Sequence, residues 1–527
     1  MPTAKVLIDG HWISSEGAAT FHAMNPRTGE TLEEKFPVSP WFEVDKALHS
    51  ADRAFQECRA WPGERFAAFL ERYAERIEAR AEDLIAAAHA ETALPVKPRL
   101  ADAELPRTVS QLKLAAHWAR EGSWMRPTID GKLNIRSTLA PIGPVAVFGP
   151  NNFPFAFNSI AGGDFAAAVA AGNPVIAKGH SSHPRTTQLF AEEAQAAAEE
   201  THMPSGFVQL IYRTSHEDGA QLVSHPLLGA IGYTGGRHAG LYLKSSADAV
   251  GKPIYLELSS VNPVVFLPGA LAERGEALAT EYAASCLMGS GQFCTNPGVV
   301  FLISDSTADQ FVANVVKSFT ANTPQPMLGP GVQRSFLSGV ETLSSLGAKL
   351  LCGGSAGPNP CTCENTLLQV SGQQFVANAA GFQTEIFGNG ALFVMCENLS
   401  EISACLKALE GNLTGAIYSA TSSTEDEAAY TQLAGILRQK VGRLLNDKMP
   451  TGVAVSPAMN HGGPFPATGH PGFTAVGLPA SITRFAALHC FDNVRDDRLP
   501  PALQNQNPLG LLRLQNGEWT RDPLTLQ

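Results

Sequence analysis

The stretch "PVAVFGPNNFPFAFNSIAGGDFAAAVAAGNPVIAKGH", residues 144–180, sets the fold. Two short β-rich runs, "VAVF" and "PVIAK", bracket an Ala-rich segment with helical character. Further runs follow at similar spacing: "FVQLIY", "LGAIGY" and "PIYLEL", the last reaching Glu257. Strand, helix and strand in alternation predict an α/β fold with a parallel sheet covered by helices on its faces. A second alternating region occupies roughly 263–446, with "PVVFL", "GVVFLI", "ALFVM", "GAIYSA" and "GRLLN" as its strands. Two tandem parallel-sheet lobes are therefore expected, joined near Glu257. Upstream, Asp9-Gly10 between two apolar runs predicts a hairpin. Phe66, Leu70, Tyr73, Ile77, Leu84 and Ile85 keep near-helical spacing and predict one amphipathic helix over about 62–92. A second helix should end near "WAREGSW". The late segment "HGGPFPATGHPGFTAVGL", 461–478, is too apolar for a flexible spacer and reads as an ordered loop.

Bulk properties narrow the classes. A chain of 527 residues calls for two or three domains. With 44% hydrophobic and 17% charged residues it reads as an ordinary globular protein, and a net charge of -11 argues against a nucleic-acid partner. The Ala-rich run 161–177 is broken by Asp164 and Pro174, so no membrane partner is expected. The N-terminal residues lack the pattern of a secretory signal. Nine scattered cysteines suit a reducing, cytoplasmic setting. Cys361 and Cys363 have no matching second half for a zinc site, so no metal is expected.

The chemistry centres on "GSGQFCTNPG", 289–298, where Cys294 sits in a glycine-rich loop. It is either a small buried hydrophobe or a nucleophile, which needs access, a route for its proton and donors for an oxyanion. Three other motifs could supply these needs. "GPNNFPFAFN" carries Asn151 and Asn152 just after a strand, "YLELSSVNP" puts Glu257 at a strand end, and "QTEIFGN" carries Glu385 and Phe387. Taken singly, such an Asn reads as a turn former and such a Glu as a solvated strand end. A nucleotide site is suggested by "GYTGGRHAG", 232–240, which lacks the G-x-G-x-x-G spacing but offers Gly235 and Gly236 before a helix N-terminus. Lys178 ends a strand and is either solvated or a ribose and phosphate contact.

Together, in this order, "GPNNFP", "ELSSVNP", "GQFCTNPG" and "EIFGN" resemble the signature stretches of the aldehyde dehydrogenase superfamily, and the resemblance spans nearly the whole chain. "AGGDFAAAVAAGNPVIAKGHSSHP", "GQFCTNPG" and "HGGPFPATG" are similar to its 2-oxoglutarate semialdehyde (2,5-dioxovalerate) branch, with an NADP-dependent fatty aldehyde branch nearby. The resemblance implies that Cys294 attacks an aldehyde, that Asn152 and the Cys294 N–H hold the oxyanion, and that Glu257 activates the water that releases the acid. It implies that Lys178 contacts the adenosine ribose, that Thr234, Gly235 and Gly236 line the pyrophosphate turn, that Leu258 and Phe387 lie against the cofactor, and that Glu385 bonds the nicotinamide ribose. Where NAD-preferring members often carry a glutamate, this chain has Ser181. That leaves room for a 2′-phosphate with Arg213 as a charge partner, so NADP is expected to be preferred and NAD to be usable.

Phe157 reads as a tunnel wall or a core aromatic. His461 either serves the substrate and thiol or is satisfied by backbone. The implied domains are a cofactor-binding domain (1–125 and 141–256), a catalytic domain (257–479), a small β oligomerisation arm (126–140 and 480–500) and a C-terminal tail (501–527). A homodimer or homotetramer is implied. The competing functions are a dehydrogenase of long-chain or aromatic aldehydes, a cofactor-independent cysteine hydrolase, and a non-catalytic protein on the same fold.

Overall fold

A computed structural model describes residues 2–525. The first lobe is built on a seven-stranded sheet in the order Ile254–Glu257, Ala230–Thr234, Val145–Phe148, Val175–Lys178, Val208–Ile211, Lys5–Ile8, His11–Ser14. Its first five strands are parallel, and the N-terminal hairpin closes one edge antiparallel. Asp9 and Gly10 turn that hairpin with φ of 56° and 73°, as a tight two-residue turn requires. Strand Val145–Phe148 is buried along its whole length. Continuous apolar strands of this kind belong to sheets covered on both faces.

The second lobe carries another seven-stranded sheet, in the order Lys349–Cys352, Thr366–Ser371, Gly390–Cys396, Val299–Ile303, Val264–Phe266, Asn412–Tyr418, Val441–Asn446. The five strands expected from the sequence are all present, and the first two are additional. Of these, Lys349–Cys352 is an antiparallel edge strand with two exposed and two half-buried residues, and its four residues, KLLC, are too few to show an alternation. The chain passes from one sheet to the other between Glu257 and Val264.

Two expectations need correction. The helix over 62–92 is two helices, Gly63–Ala79 and Ala81–Thr92, broken at Arg80 (φ -103°, ψ 17°). Apolar spacing alone does not register the break. It lets the second helix pack on Pro184–Glu200, and Arg80 secures the corner by pairing with Glu192 and Glu193 of that helix at 2.9 and 2.7 Å. The tail is also not separate from the arm. Arg513–Gln515 and Glu518–Thr520 complete a five-stranded sheet with Thr128–Asp130, Ile135–Pro141 and Ala486–Asp492. Leu514 pairs with Thr128 in parallel, which occupies an edge that would otherwise stand open. Among the described residues no helix is long and apolar enough to cross a membrane.

Candidate active site

Parallel register aligns the first lobe's polar residues. Phe148 pairs with Lys178, Tyr233 with Phe148, and Thr234 with Glu257. Lys178, Thr234 and Glu257 therefore share the carboxyl edge of the sheet, where open α/β sheets bind ligands.

Cys294 reaches this edge from the other lobe. After helix Pro268–Leu287 the backbone turns left-handed at Gly289, Ser290 and Gly291. A Cβ on Gly291 would lie 2.0 Å from the Gly388 carbonyl oxygen, so only glycine lets this turn press on the segment carrying Glu385 and Phe387. The far side of the thiol loop is fixed by Asn262, whose Nδ2 donates to the Cys294 and Asn296 carbonyls, each at 2.9 Å. Asn262 belongs to the segment that follows Glu257, so one short stretch positions both the carboxylate and the thiol.

Three groups meet here. Cys294 Sγ lies 3.4 Å from His461 Nε2, and the same nitrogen lies 2.9 Å from Glu257 Oε1. Glu257 and His461 are each 1% exposed, so any proton they exchange stays out of bulk water. Glu257 Oε2 is buried without a hydrogen-bond partner. Burial first, and then the charge of Glu257, pushes the Cys294 thiol well above its usual range, while Arg107 pulls the other way. Nε2 has one in-plane position, so it either donates to the carboxylate or accepts from the thiol. Among the described residues this trio is the only His/Cys/carboxylate group close enough to share an ion. Cys361 and Cys363 are in no such group.

The segment carrying His461 is wedged between strand Val441–Asn446 and the loop at 473–475. His461 N–H donates to Thr474 Oγ1 at 3.0 Å, and its carbonyl accepts from Ala475 N–H at 2.9 Å. A Cβ on Gly442 of strand Val441–Asn446 would sit 1.8 Å from the Gly462 carbonyl oxygen. The glycines of "HGGP" are thus places where backbone touches backbone. Phe157 packs edge-on to the His461 ring at 5.9 Å and joins Phe153, Phe293 and Phe473 in one apolar cluster.

Asn152 is 6% exposed, and its Nδ2 donates to the Gln292 carbonyl at 3.0 Å. That puts an amide donor beside the Cys294 loop. Among the described residues the Cys294 N–H makes no hydrogen bond. Asn152 is itself held by Arg99, whose Nη2 donates to the Asn152 carbonyl at 2.8 Å.

The remaining residues surround the carboxyl edge and fit a nicotinamide dinucleotide. Gly235 N–H donates to the Glu257 carbonyl at 3.1 Å. A Cβ on Gly236 would meet nothing within 4 Å, and helix Arg237–Asp248 starts there without a side-chain cap. Its first N–H groups are therefore open to a phosphate. Burial, and next the nearby Arg213 charge, lowers Lys178 to about 8. Arg213 is exposed and near enough for its charge to act on Lys178, and half-buried Ser181 lies three residues beyond Lys178. His180 stacks on His183 at 5.3 Å alongside. Glu385 is raised to about 7 by burial, against hydrogen bonds from Ser259 and Ser260. It lines one cavity with Phe387, Phe293 and Gly291. The Leu258 side chain is buried where a Cβ on Gly240 would meet it at 2.5 Å, and its N–H donates to the Ala467 carbonyl.

Comparison with known proteins decides the family. The model of the aldehyde dehydrogenase family matches residues 12–452. The chain belongs to the aldehyde dehydrogenase family. It is 40% identical to alpha-ketoglutaric semialdehyde dehydrogenase 2 of Azospirillum brasilense, over 98% of this chain and 99% of that one. It is 36% identical to alpha-ketoglutaric semialdehyde dehydrogenase of Acinetobacter baylyi, over 98% and 99%. The crystal structure of a cysteine-to-alanine mutant of aldehyde dehydrogenase C from Pseudomonas syringae, complexed with NAD+ and octanal, superposes with a TM-score of 0.78 at 19% identity, covering 93% of this chain and 96% of that one. The protein is therefore an NAD(P)-dependent aldehyde dehydrogenase.

Sequence reading of this dehydrogenase missed four residues of the site: Asn262, Arg99, Arg107 and Thr474. Asn262 lies inside a quoted motif, and its φ of 47° is a conformation that Asn tolerates. The two arginines carry no signal, because an arginine near a helix start reads as solvated surface.

Proposed function

We propose that the enzyme oxidises 2-oxoglutarate semialdehyde to 2-oxoglutarate, with NADP preferred over NAD. The observation that carries the chemistry is the Cys294, His461 and Glu257 contact, with one carboxylate oxygen left free. The substrate reading is supported by the two semialdehyde dehydrogenase relatives, which match along nearly the whole chain.

Cys294 Sγ attacks the aldehyde carbon, and its proton passes to His461 Nε2, which stands between thiol and carboxylate. The oxyanion is received by the Cys294 N–H and by Asn152 Nδ2, which gives up its bond to Gln292. Such donors act on charge that develops in the transition state, and each contributes about 2.7–4 kcal/mol. A nicotinamide held by Lys178, Glu385 and the turn at Gly235 and Gly236 would supply the hydride acceptor, and Cys294 would carry the acyl group as a thioester once the thiohemiacetal carbon is oxidised. Glu257 Oε2 then takes a proton from water as the water adds to the thioester. Collapse releases the acid and restores the thiol. A base at this position favours hydrolysis over transfer of the acyl group to coenzyme A.

Lys178 and Arg213, with Ser181 where a carboxylate would repel, favour a ribose 2′-phosphate. The family-like arm, 126–140 with 480–500, supports a homodimer or homotetramer, and the two tail strands extend the same sheet. All nine cysteines are free, which supports a reducing compartment such as the cytoplasm. A second reading, long-chain or aromatic aldehydes, is favoured by the four-phenylalanine cluster beside the thiol.

The test follows reduced-cofactor absorbance with 2-oxoglutarate semialdehyde, NADP against NAD, beside Cys294→Ala. Turnover that favours NADP and is lost in the variant supports the reading. Turnover restricted to hexanal or benzaldehyde keeps the mechanism and discards the substrate.

A further inference from the structure

Arg107 sits in the first turn of helix Leu105–Glu121. Its guanidinium is fixed on two sides: Nε donates to Gln111 Oε1 at 3.1 Å, and Nη1 to the Val453 carbonyl at 3.0 Å across the lobes. Nη2 is buried and has no partner. The group lies 5.4 Å from the centre of the Phe157 ring and 5.8 Å from that of Phe153. Phe157 in turn contacts His461, so the cation stands one ring away from the catalytic trio. It is near enough for its charge to act on Cys294.

Among the described residues no carboxylate pairs with this guanidinium, although the charges of Glu104 and Glu257 reach it. Glu104 is nearby, but its Oε1 accepts from the Phe155 and Ala156 N–H groups and its Oε2 from Arg99 Nε. The paired oxygen of Glu257 is taken by His461. Among the described residues Arg107 forms no ion pair. A guanidinium stays protonated when buried, and a desolvated cation without a counter-charge is strongly unfavourable unless an anion completes it. The rings it faces are aromatic, and the second guanidinium on Phe153, that of Arg99 at 4.2 Å, is already taken up by Glu104 and the Asn152 carbonyl.

We infer that Arg107 is the specificity residue for the substrate, its Nη2 binding the carboxylate of an aldehyde acid while the aldehyde end meets Cys294. This rests on the semialdehyde reading above. It resolves the tension with the aromatic lining: the phenylalanines pack the methylene chain, and the unpartnered Nη2 of Arg107 selects the acid. A site built around a polar partner discriminates against an analogue lacking that partner, because the buried group is then left unpaired.

The experiment compares wild type, Arg107→Met and Arg107→Lys with 2-oxoglutarate semialdehyde and with pentanal at saturating NADP. It also measures competitive inhibition of pentanal oxidation by 2-oxoglutarate. In Arg107→Met the ratio of kcat/KM for the acid over pentanal should fall about 10- to 100-fold, the worth of one charge-assisted hydrogen bond. The loss should appear chiefly in KM, and inhibition by 2-oxoglutarate should weaken in step. Arg107→Lys should recover part of both, and it carries the test if the Met variant does not fold. An equal loss with both substrates, with inhibition by 2-oxoglutarate unchanged, overturns the inference and makes Arg107 a brace between lobes or a tuner of the thiol. A wild-type enzyme that oxidises pentanal but not the acid overturns the substrate reading and this inference with it. Failure of the ratio alone leaves the substrate reading standing.

Discussion

Glu257 holds opposite consequences for the two halves of the cycle. Its charge, after burial, keeps the Cys294 proton on sulfur, yet its other oxygen is buried without a partner and in the proposed mechanism takes the proton of the attacking water. The sign of the first effect is fixed: a neighbouring anion disfavours the thiolate and raises the thiol pKa. Thiolate, and with it alkylation by iodoacetamide, should therefore grow as pH rises. In Glu257→Gln the midpoint of that profile should move to lower pH, while steady-state turnover falls by roughly 10²–10⁴-fold, the range for a lost general base. Stopped alkylation across pH, followed by peptide mass, checks the shift. A midpoint that moves up or stays fixed contradicts the role given to the carboxylate. At this scale the sequence was legible for Cys294, Glu257 and Asn152, because their motifs are local. His461 was legible as a residue that either serves the substrate and thiol or is satisfied by backbone, without its tie to the carboxylate. Its contact with Glu257 joins residues 204 apart in sequence, and no local pattern reports such a pairing.

The elements show why the motifs are rich in small residues. Gly442 faces Gly462 so closely that a methyl group would enter the carbonyl. Gly442→Ala should lower stability by about 1–3 kcal/mol, as overpacking generally does, and should cut turnover more than that loss alone explains, because the displaced segment carries His461. Calorimetry with kcat measured well below the melting temperature separates the two effects, and an active variant of native stability would contradict the packing argument. Strand positions were readable in most runs buried on both faces, as in Val145–Phe148, but not in Thr366–Ser371, where four of six residues are buried. Reading failed where neighbours decide the outcome. The break at Arg80 serves packing on Pro184–Glu200, and the edge strand Lys349–Cys352 is only four residues long and buries none of them fully.

Over the whole molecule, the five-stranded arm draws strands from three distant parts of the chain. Its edge strand Ala486–Asp492 leaves Leu488 69% exposed, and Trp519 at the opposite side is 60% exposed. An exposed edge with apolar side chains invites pairing with another chain. The homo-oligomer proposed above predicts that Leu488→Glu shifts the mass in solution toward smaller species. Light scattering on a sizing column reads this, and an unchanged mass for the variant removes this strand from the interface. The arm's position was legible from the family resemblance, whereas the strands Arg513–Gln515 and Glu518–Thr520 were not, since three-residue strands have no periodicity to read.

The central claim is that the reaction passes through an acyl group on Cys294 that Glu257 helps to hydrolyse. The most direct measurement is the intact mass of Glu257→Gln mixed briefly with 2-oxoglutarate semialdehyde and NADP, with the adduct mapped by peptide digestion. The account predicts an acyl adduct on the peptide containing Cys294, accompanied by one equivalent of reduced cofactor per active site and little further turnover. Wild-type turnover with no adduct on that peptide would contradict it.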